Sequence, residues 1–294
     1  MARDFTLSTF RILLKTLSAE GYSFTTVTGY KNLPGAKTIV LRHDVDAAPL
    51  NAVSTALAEH ASGIRGTYYF RCGRKGFDSE TIRQIANLGH ETGYHYEDLA
   101  MARQMVKKGV REIEIIVKAF ENFKTNLQKL RDIVSTETIC MHGSPLSSID
   151  SRLLWKYFDY RELGIVTEPY VDLSFEGMLY LTDTGRRWDG SSFSVRDKAG
   201  FGRMRSAEGY KEWKVEPLPG SLMNMTSISA EMQSKYRFSS TADIVKAALT
   251  GKLPGKIMMT VHPQRWDDRT IPWLRELVTQ KAKNAVKYFI VRVQ

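Results

Sequence analysis

Four short apolar runs in this chain stop abruptly at a carboxylate or an imidazole. Thr38-Ile39-Val40-Leu41 breaks into Arg42-His43-Asp44-Val45-Asp46, and Glu91-Thr92-Gly93-Tyr94 ends at His95. Thr138-Ile139-Cys140-Met141 runs into His142-Gly143-Ser144-Pro145, and Lys256 to Val261 ends at His262-Pro263. Runs of four to six residues bounded by turn formers are the right length for strands and too short for helices. Helical stretches separate them: residues 49–62, residues 79–88 with Ser79 as N-cap, a long one over 100–131, and 271–286. An amphipathic helix is expected over residues 5–20, a strand over Gly66–Phe70, and a last strand over Tyr288–Val291. Alternation of this kind predicts an α/β fold with a parallel sheet. In parallel sheets and barrels, ligand sites gather at the carboxyl ends of the strands. Asp44, Asp46, His95, His142 and His262 are therefore expected on one rim. His43 should point to the opposite face of its strand from Asp44, because strand side chains alternate.

Composition narrows the class. The chain has 294 residues, 43% hydrophobic and 25% charged, which are ordinary globular values. No apolar run is long enough to span a bilayer. The N-terminal stretch carries Arg3, Asp4, Arg11 and Lys15 and lacks a signal-peptide core, so a cytoplasmic location is expected. Cys72 and Cys140 stand apart without metal or redox spacing and read as free thiols. A formal charge of +10 fits attraction of an anionic substrate, or simply solvated helix faces. No nucleic-acid-reading element is recognisable. Without a repeat or linker, residues 1–294 read as a single domain, with elaborated loops at about 150–240.

The segments LRHDVD (Leu41–Asp46), GHETGYHYEDL (Gly89–Leu99) and VHP (Val261–Pro263) resemble motifs of the polysaccharide-deacetylase superfamily, the NodB-like proteins of carbohydrate esterase family 4. The resemblance covers roughly residues 38–145 and 256–263. It implies a distorted (β/α) barrel of about seven parallel strands that removes acyl groups from sugars with a divalent metal. It also implies Asp44 as general base, Asp46 and His95 as metal ligands, His262 as the acid that protonates the leaving group, and His90 as a structural histidine.

One position departs from the pattern. The family commonly has a second ligating histidine where this chain has Leu99, which binds no metal. His142 is the preferred replacement, with Glu97 and Asp98 as local rivals. Asp46, His95 and His142 would supply two nitrogens and one oxygen and leave a position for water, the layout of a catalytic zinc site. Zinc suits such a set, and iron, cobalt and nickel stay open. Tyr94, Asp183, Arg187 and Trp188 are candidates for the substrate wall, since tryptophan stacks on sugar faces and arginine binds oxyanions in a bidentate way. The expected substrate is an amino sugar or glycan, free or carrier-linked, in surface-polysaccharide or nucleotide-sugar metabolism, and no nucleic-acid partner is expected. Hydrolysis of another C–N bond, in a cyclic amide, is the second reading. A non-catalytic sugar-binding protein on the same scaffold is the third.

Overall fold

The structure is a computed structural model that describes residues 3–32, 35–106, 109–143, 150–188 and 230–293. The chain opens with α1 (Leu7–Ala19), whose first turn is closed by the Thr6 side chain accepting from the Thr9 backbone N–H. Phe10, Leu13, Leu14 and Leu17, spaced three and four apart, form the buried stripe of that helix. Then follow β1 (Ser23–Thr25), α2 (Val27–Asn32), β2 (Thr38–Val45), α3 (Pro49–His60), β3 (Thr67–Phe70), α4 (Ser79–Asn87) and β4 (Glu91–Tyr96). The second half holds α5 (Asp98–Met105), α6 (Glu112–Arg131), β5 (Thr138–Met141), α7 (Pro169–Asp172) and β6 (Met178–Thr182). It ends with α8 (Ala230–Lys235), α9 (Thr241–Leu249), β7 (Lys256–Val261) and α10 (Thr270–Val293).

The strands form one sheet in the order β5-β4-β3-β2-β7-β6, with β1 beside the first residues of β2. Every pairing is parallel. The sheet is curled: Val40, Tyr69, Cys140, Met178, Tyr180 and Met258 share one interior cluster, although Cys140 and Tyr180 lie on strands at opposite ends of the order. Tyr170, Leu173 and Phe175 fill the arc between those two edges, where Thr167 bridges to Thr138. Among the described residues no ladder joins β5 to β6, so the barrel is distorted and laterally incomplete.

The outer faces carry two further clusters. One packs β3, β4 and β5 against α3 to α6, and the other packs β2, β6 and β7 against α1 and α9. Full burial of each large apolar side chain there contributes about 1.5–3 kcal/mol. His43 is on this outer side, its ring stacked on Tyr68 with centroids 4.1 Å apart and its Nε2 2.7 Å from Glu59 Oε1. His90 is a core histidine, its Nδ1 accepting from the Gly66 N–H and its Nε2 3.0 Å from the Ala56 carbonyl.

Several sequence expectations are corrected. The N-cap of α4 is Asp78, which accepts from the Thr81 N–H, and Ser79 is the first helical residue. The helix expected over 100–131 is two helices, because Val106 is extended and Gly109 takes φ +96°, a left-handed conformation suited to glycine. Among the described residues no strand follows α10. From Gln280 to Lys287 the chain is Ala- and Lys-rich without Gly or Pro, and helical propagation carries through Tyr288–Val291 to Val293. Residues 189–229, within the region expected to form elaborated loops, lie outside the described residues.

Candidate metal centre

β2 alternates strictly, so Val40, Arg42 and Asp44 share the interior face while Ile39 and Leu41 face the outer helices. Arg42 and Asp44 meet along their own strand, Nε donating to Oδ1 at 2.8 Å and Nη2 to Oδ2 at 2.7 Å. Nη1 of Arg42 donates to the Tyr170 hydroxyl, which sits 3.1 Å from the Tyr180 hydroxyl. Burial alone would raise the Asp44 carboxyl. Arg42, and then His95 and His262, hold it well below the usual carboxylate range.

Asp46 lies just past the end of β2, His95 near the end of β4 and His142 directly after β5. One ligand atom from each of these three residues lies within 4.8 Å of the others. His95 donates its Nδ1–H to the Cys140 carbonyl at 2.9 Å, which leaves the Nε2 lone pair facing the site. That Nε2 is 3.4 Å from Asp44 Oδ2. His142 has Nδ1 3.2 Å from Glu97 Oε2 and Nε2 3.6 Å from Asp46 Oδ1. Burial lowers the His142 pKa, favouring the neutral ring that a metal requires. Burial raises the Asp46 carboxyl, but His142, His262, His95 and Arg71 together bring it below its ordinary value. Two imidazoles, one with its Nδ1 held by a carbonyl and the other with its Nδ1 beside the Glu97 carboxylate, and one ionised carboxylate suit a divalent metal. The residues present fit the ion.

The local rivals of His142 are engaged elsewhere. Leu99 is fully buried in the helix-side cluster. Asp98 faces that same side, accepting from the Tyr94 hydroxyl at 2.7 Å and from Asn126 at 2.9 Å, and burial pushes its carboxyl up to about 6. Glu97 accepts from Arg71 Nη2 on both oxygens, at 2.8 and 2.7 Å, and from Arg74 Nε at 2.8 Å. Burial opposes its ionisation, yet His142 and Arg71 hold it far below the carboxylate range. Arg71 Nη1 also donates to Asp46 Oδ1 at 3.1 Å. Arg71 thereby ties the end of β2 to the carboxylate that braces His142.

A second constellation stands on the neighbouring strands. His262, after β7, has Nδ1 2.6 Å from Asp183 Oδ1, and its backbone N–H donates to Oδ2 at 2.9 Å. Arg265 and the Trp266 indole also donate to Asp183. Burial raises the Asp183 carboxyl, but Arg265 and His262 outweigh it and set the group at about 2. His262 lies close enough for its charge to act on both Asp44 and Asp46.

The expected substrate wall is not assembled as a wall. Asp183 is fully buried beneath His262. Trp188 is 1% exposed, its ring against Phe5 and Trp266 and its indole N–H on Thr241. Tyr94 belongs to the helix-side cluster, packed on Phe123. Arg187 is half-buried in the turn after the left-handed Arg186. Sequence reasoning missed Arg42, Arg71 and Arg74. The period-2 rule carried the signal for Arg42, two residues before Asp44, whereas the turn holding Arg71 and Arg74 had no pattern to mark it.

No family model matches this chain, and no curated protein matches it in sequence. Among solved structures it is similar to a mutant of peptidoglycan deacetylase PdaC from Bacillus subtilis. The identity is 13% over 87% of this chain and 98% of that one, with a TM-score of 0.33. The site therefore stands on its own geometry. Among the described residues no helix is long and apolar enough to cross a membrane.

Proposed function

We propose that this chain is a metal-dependent deacetylase that hydrolyses the N-acyl amide of an amino sugar. The observation that carries the reading is the Asp46, His95 and His142 triad on one strand-end rim, with Asp44 beside it and the His262–Asp183 pair on the adjoining strands. Asp46, His95 and His142 would hold the ion, and their N/N/O donors suit zinc. When bound, the ion supplies Lewis acidity, polarising an acyl oxygen and making water acidic enough to attack near neutral pH.

The protein's own groups divide the proton work. Asp44, kept ionised by Arg42, accepts the proton of the attacking water on a carboxylate oxygen. A base so strongly held is a weak one, so it serves by position and returns the proton readily. His262, with Nδ1 fixed on Asp183, has Nε2 left to protonate the departing amine. Asp183 stabilises the charged imidazole before that transfer. The C–N bond breaks, and free amine and carboxylate leave.

The test is a substrate panel on zinc-loaded protein. N-acetyl sugars, nucleotide-linked N-acetyl sugars and cyclic ureides are incubated separately, and acetate release and ring opening are measured. Acetate from one of the sugars is expected. Ring opening of a ureide without acetate release moves the assignment to cyclic amides. Sugar binding with neither reaction would leave a binding protein on this scaffold.

A further inference from the structure

We propose that Arg74 recognises an anionic group, a carboxylate or a phosphate, on the acylated sugar, and so sets the substrate class. The proposal rests on the deacetylase reading of the site. Arg74 lies in the turn that follows β3, closed by hydrogen bonds from the Arg74 N–H to the Arg71 carbonyl and from the Phe77 N–H to the Arg74 carbonyl. The turn is pressed against the end of β2. A Cβ at Gly76 would stand 2.3 Å from the Val45 carbonyl oxygen, so only glycine permits this approach beside Asp46.

The arginines around the centre differ in what their terminal nitrogens do. Arg42 spends them on Asp44 and Tyr170, and Arg71 spends them on Asp46 and Glu97. Arg74 is anchored differently. Its Nε donates to Glu97 Oε1 at 2.8 Å, and among the described residues no hydrogen bond or ion pair engages its Nη1 or Nη2. The side chain is 43% exposed, while the carboxylate that holds it is 10% exposed. A guanidinium oriented from inside and open at its tip presents two parallel N–H donors, the geometry that takes an oxyanion. Glu97 also stands 3.2 Å from His142, so the open fork lies one carboxylate away from a metal ligand.

Charge points the same way. Asp44, Asp46, Glu97 and Asp183 each have an arginine against them: Arg42, Arg71, Arg71 with Arg74, and Arg265. The side chains of the rim therefore cancel, and a bound dication leaves the centre positive. An anionic substrate is drawn to such a cleft, as the excess of basic residues over the whole chain also favours.

Calorimetric titration of the zinc-loaded protein tests this with three ligands: N-acetylglucosamine 1-phosphate, N-acetylmuramic acid, and the neutral methyl glycoside of N-acetylglucosamine. The first two separate phosphate from carboxylate. The wild-type protein should bind at least one anionic ligand more tightly than the neutral one. Arg74→Gln should lower that anionic-to-neutral affinity ratio about tenfold, the scale of one charge-assisted hydrogen-bonded pair. Arg74→Lys should recover part of the ratio, because it keeps the charge and loses the fork. Zinc content, measured on every variant, should match wild type. An unchanged ratio in Arg74→Gln, or no anionic preference in the wild type, overturns the proposal. Acetate release is followed in the same mixtures. Anion binding through Arg74 without acetate release would defeat the deacetylase reading and leave Arg74 as an anion contact. Acetate release with a ratio indifferent to Arg74 would do the reverse.

Discussion

Arg42 and Asp44 form a two-point ion pair within a single strand, Nε to Oδ1 at 2.8 Å and Nη2 to Oδ2 at 2.7 Å, and both side chains are buried. Adjacent same-face positions on β2 make the contact, so the strand itself orients the Asp44 carboxylate. Replacing Asp44 by Asn should leave the zinc content unchanged and lower turnover roughly 10²-fold or more. Arg42→Met strands a buried carboxylate and should cost about 3–5 kcal/mol in urea unfolding. The double variant should recover much of that loss, since it removes the stranded charge as well. A double variant as unstable as Arg42→Met would show that Arg42 acts by packing rather than by pairing.

The His262–Asp183 pair makes a separable prediction. His262→Ala should lower turnover roughly 10²-fold or more, with metal content unchanged. Asp183→Asn should lose activity in the same direction and less severely, because Nδ1 of His262 loses the carboxylate that fixes the ring. Steady-state kinetics across pH, with zinc analysis of each variant, reads both effects. Wild-type turnover in Asp183→Asn would reduce Asp183 to an anchor for Arg265 and Trp266.

Glu168 gives the fold a pH signature away from the centre. It is fully buried and accepts from the Met141 and Tyr170 backbone N–H groups. Burial, only partly offset by Arg152 and those hydrogen bonds, pushes its carboxyl from 4.5 up to about 7. A folded-state pKa above the unfolded one means the native protein binds the extra proton. Its contribution is complete below pH 4.5 and is lost as pH rises through about 7, on the order of 3 kcal/mol in all. Urea unfolding from pH 4.5 to 8 should show wild type losing stability relative to Glu168→Gln across that window. Parallel pH dependences would contradict the assignment.

The strand-end rule made the cluster of Asp46, His95 and His142 legible, because apolar runs that stop at Asp or His are visible without knowing which strands pair. Period-2 alternation likewise separated His43 from Asp44, and the structure has His43 on Glu59 and Asp44 on Arg42. What sequence could not show is where long-range packing decides. Trp188 looked like a sugar platform, but Phe5 and Trp266, far away in the chain, enclose it. Asp98 accepts from Tyr94 and from Asn126 on α6, a partnership that no local pattern announces. The end of α10 misled for a local reason: Tyr288-Phe289-Ile290-Val291 has strand propensity, and the helix already running from Thr270 overrides it.

The most direct test of the account is zinc retention after chelator stripping, reloading and equilibrium dialysis, compared across single substitutions. Wild-type protein should hold about one equivalent, as expected of a three-ligand site. Asp46→Ala, His95→Ala and His142→Ala should each fall to background. Asp98→Asn should stay full, because Asp98 faces the helix-side core. Glu97→Gln should bind roughly 10- to 100-fold more weakly, the cost of removing a group that orients a ligand. Full zinc occupancy in His142→Ala would contradict the account, since Asp46 and His95 would then be completed by another group and the triad would not be the metal site.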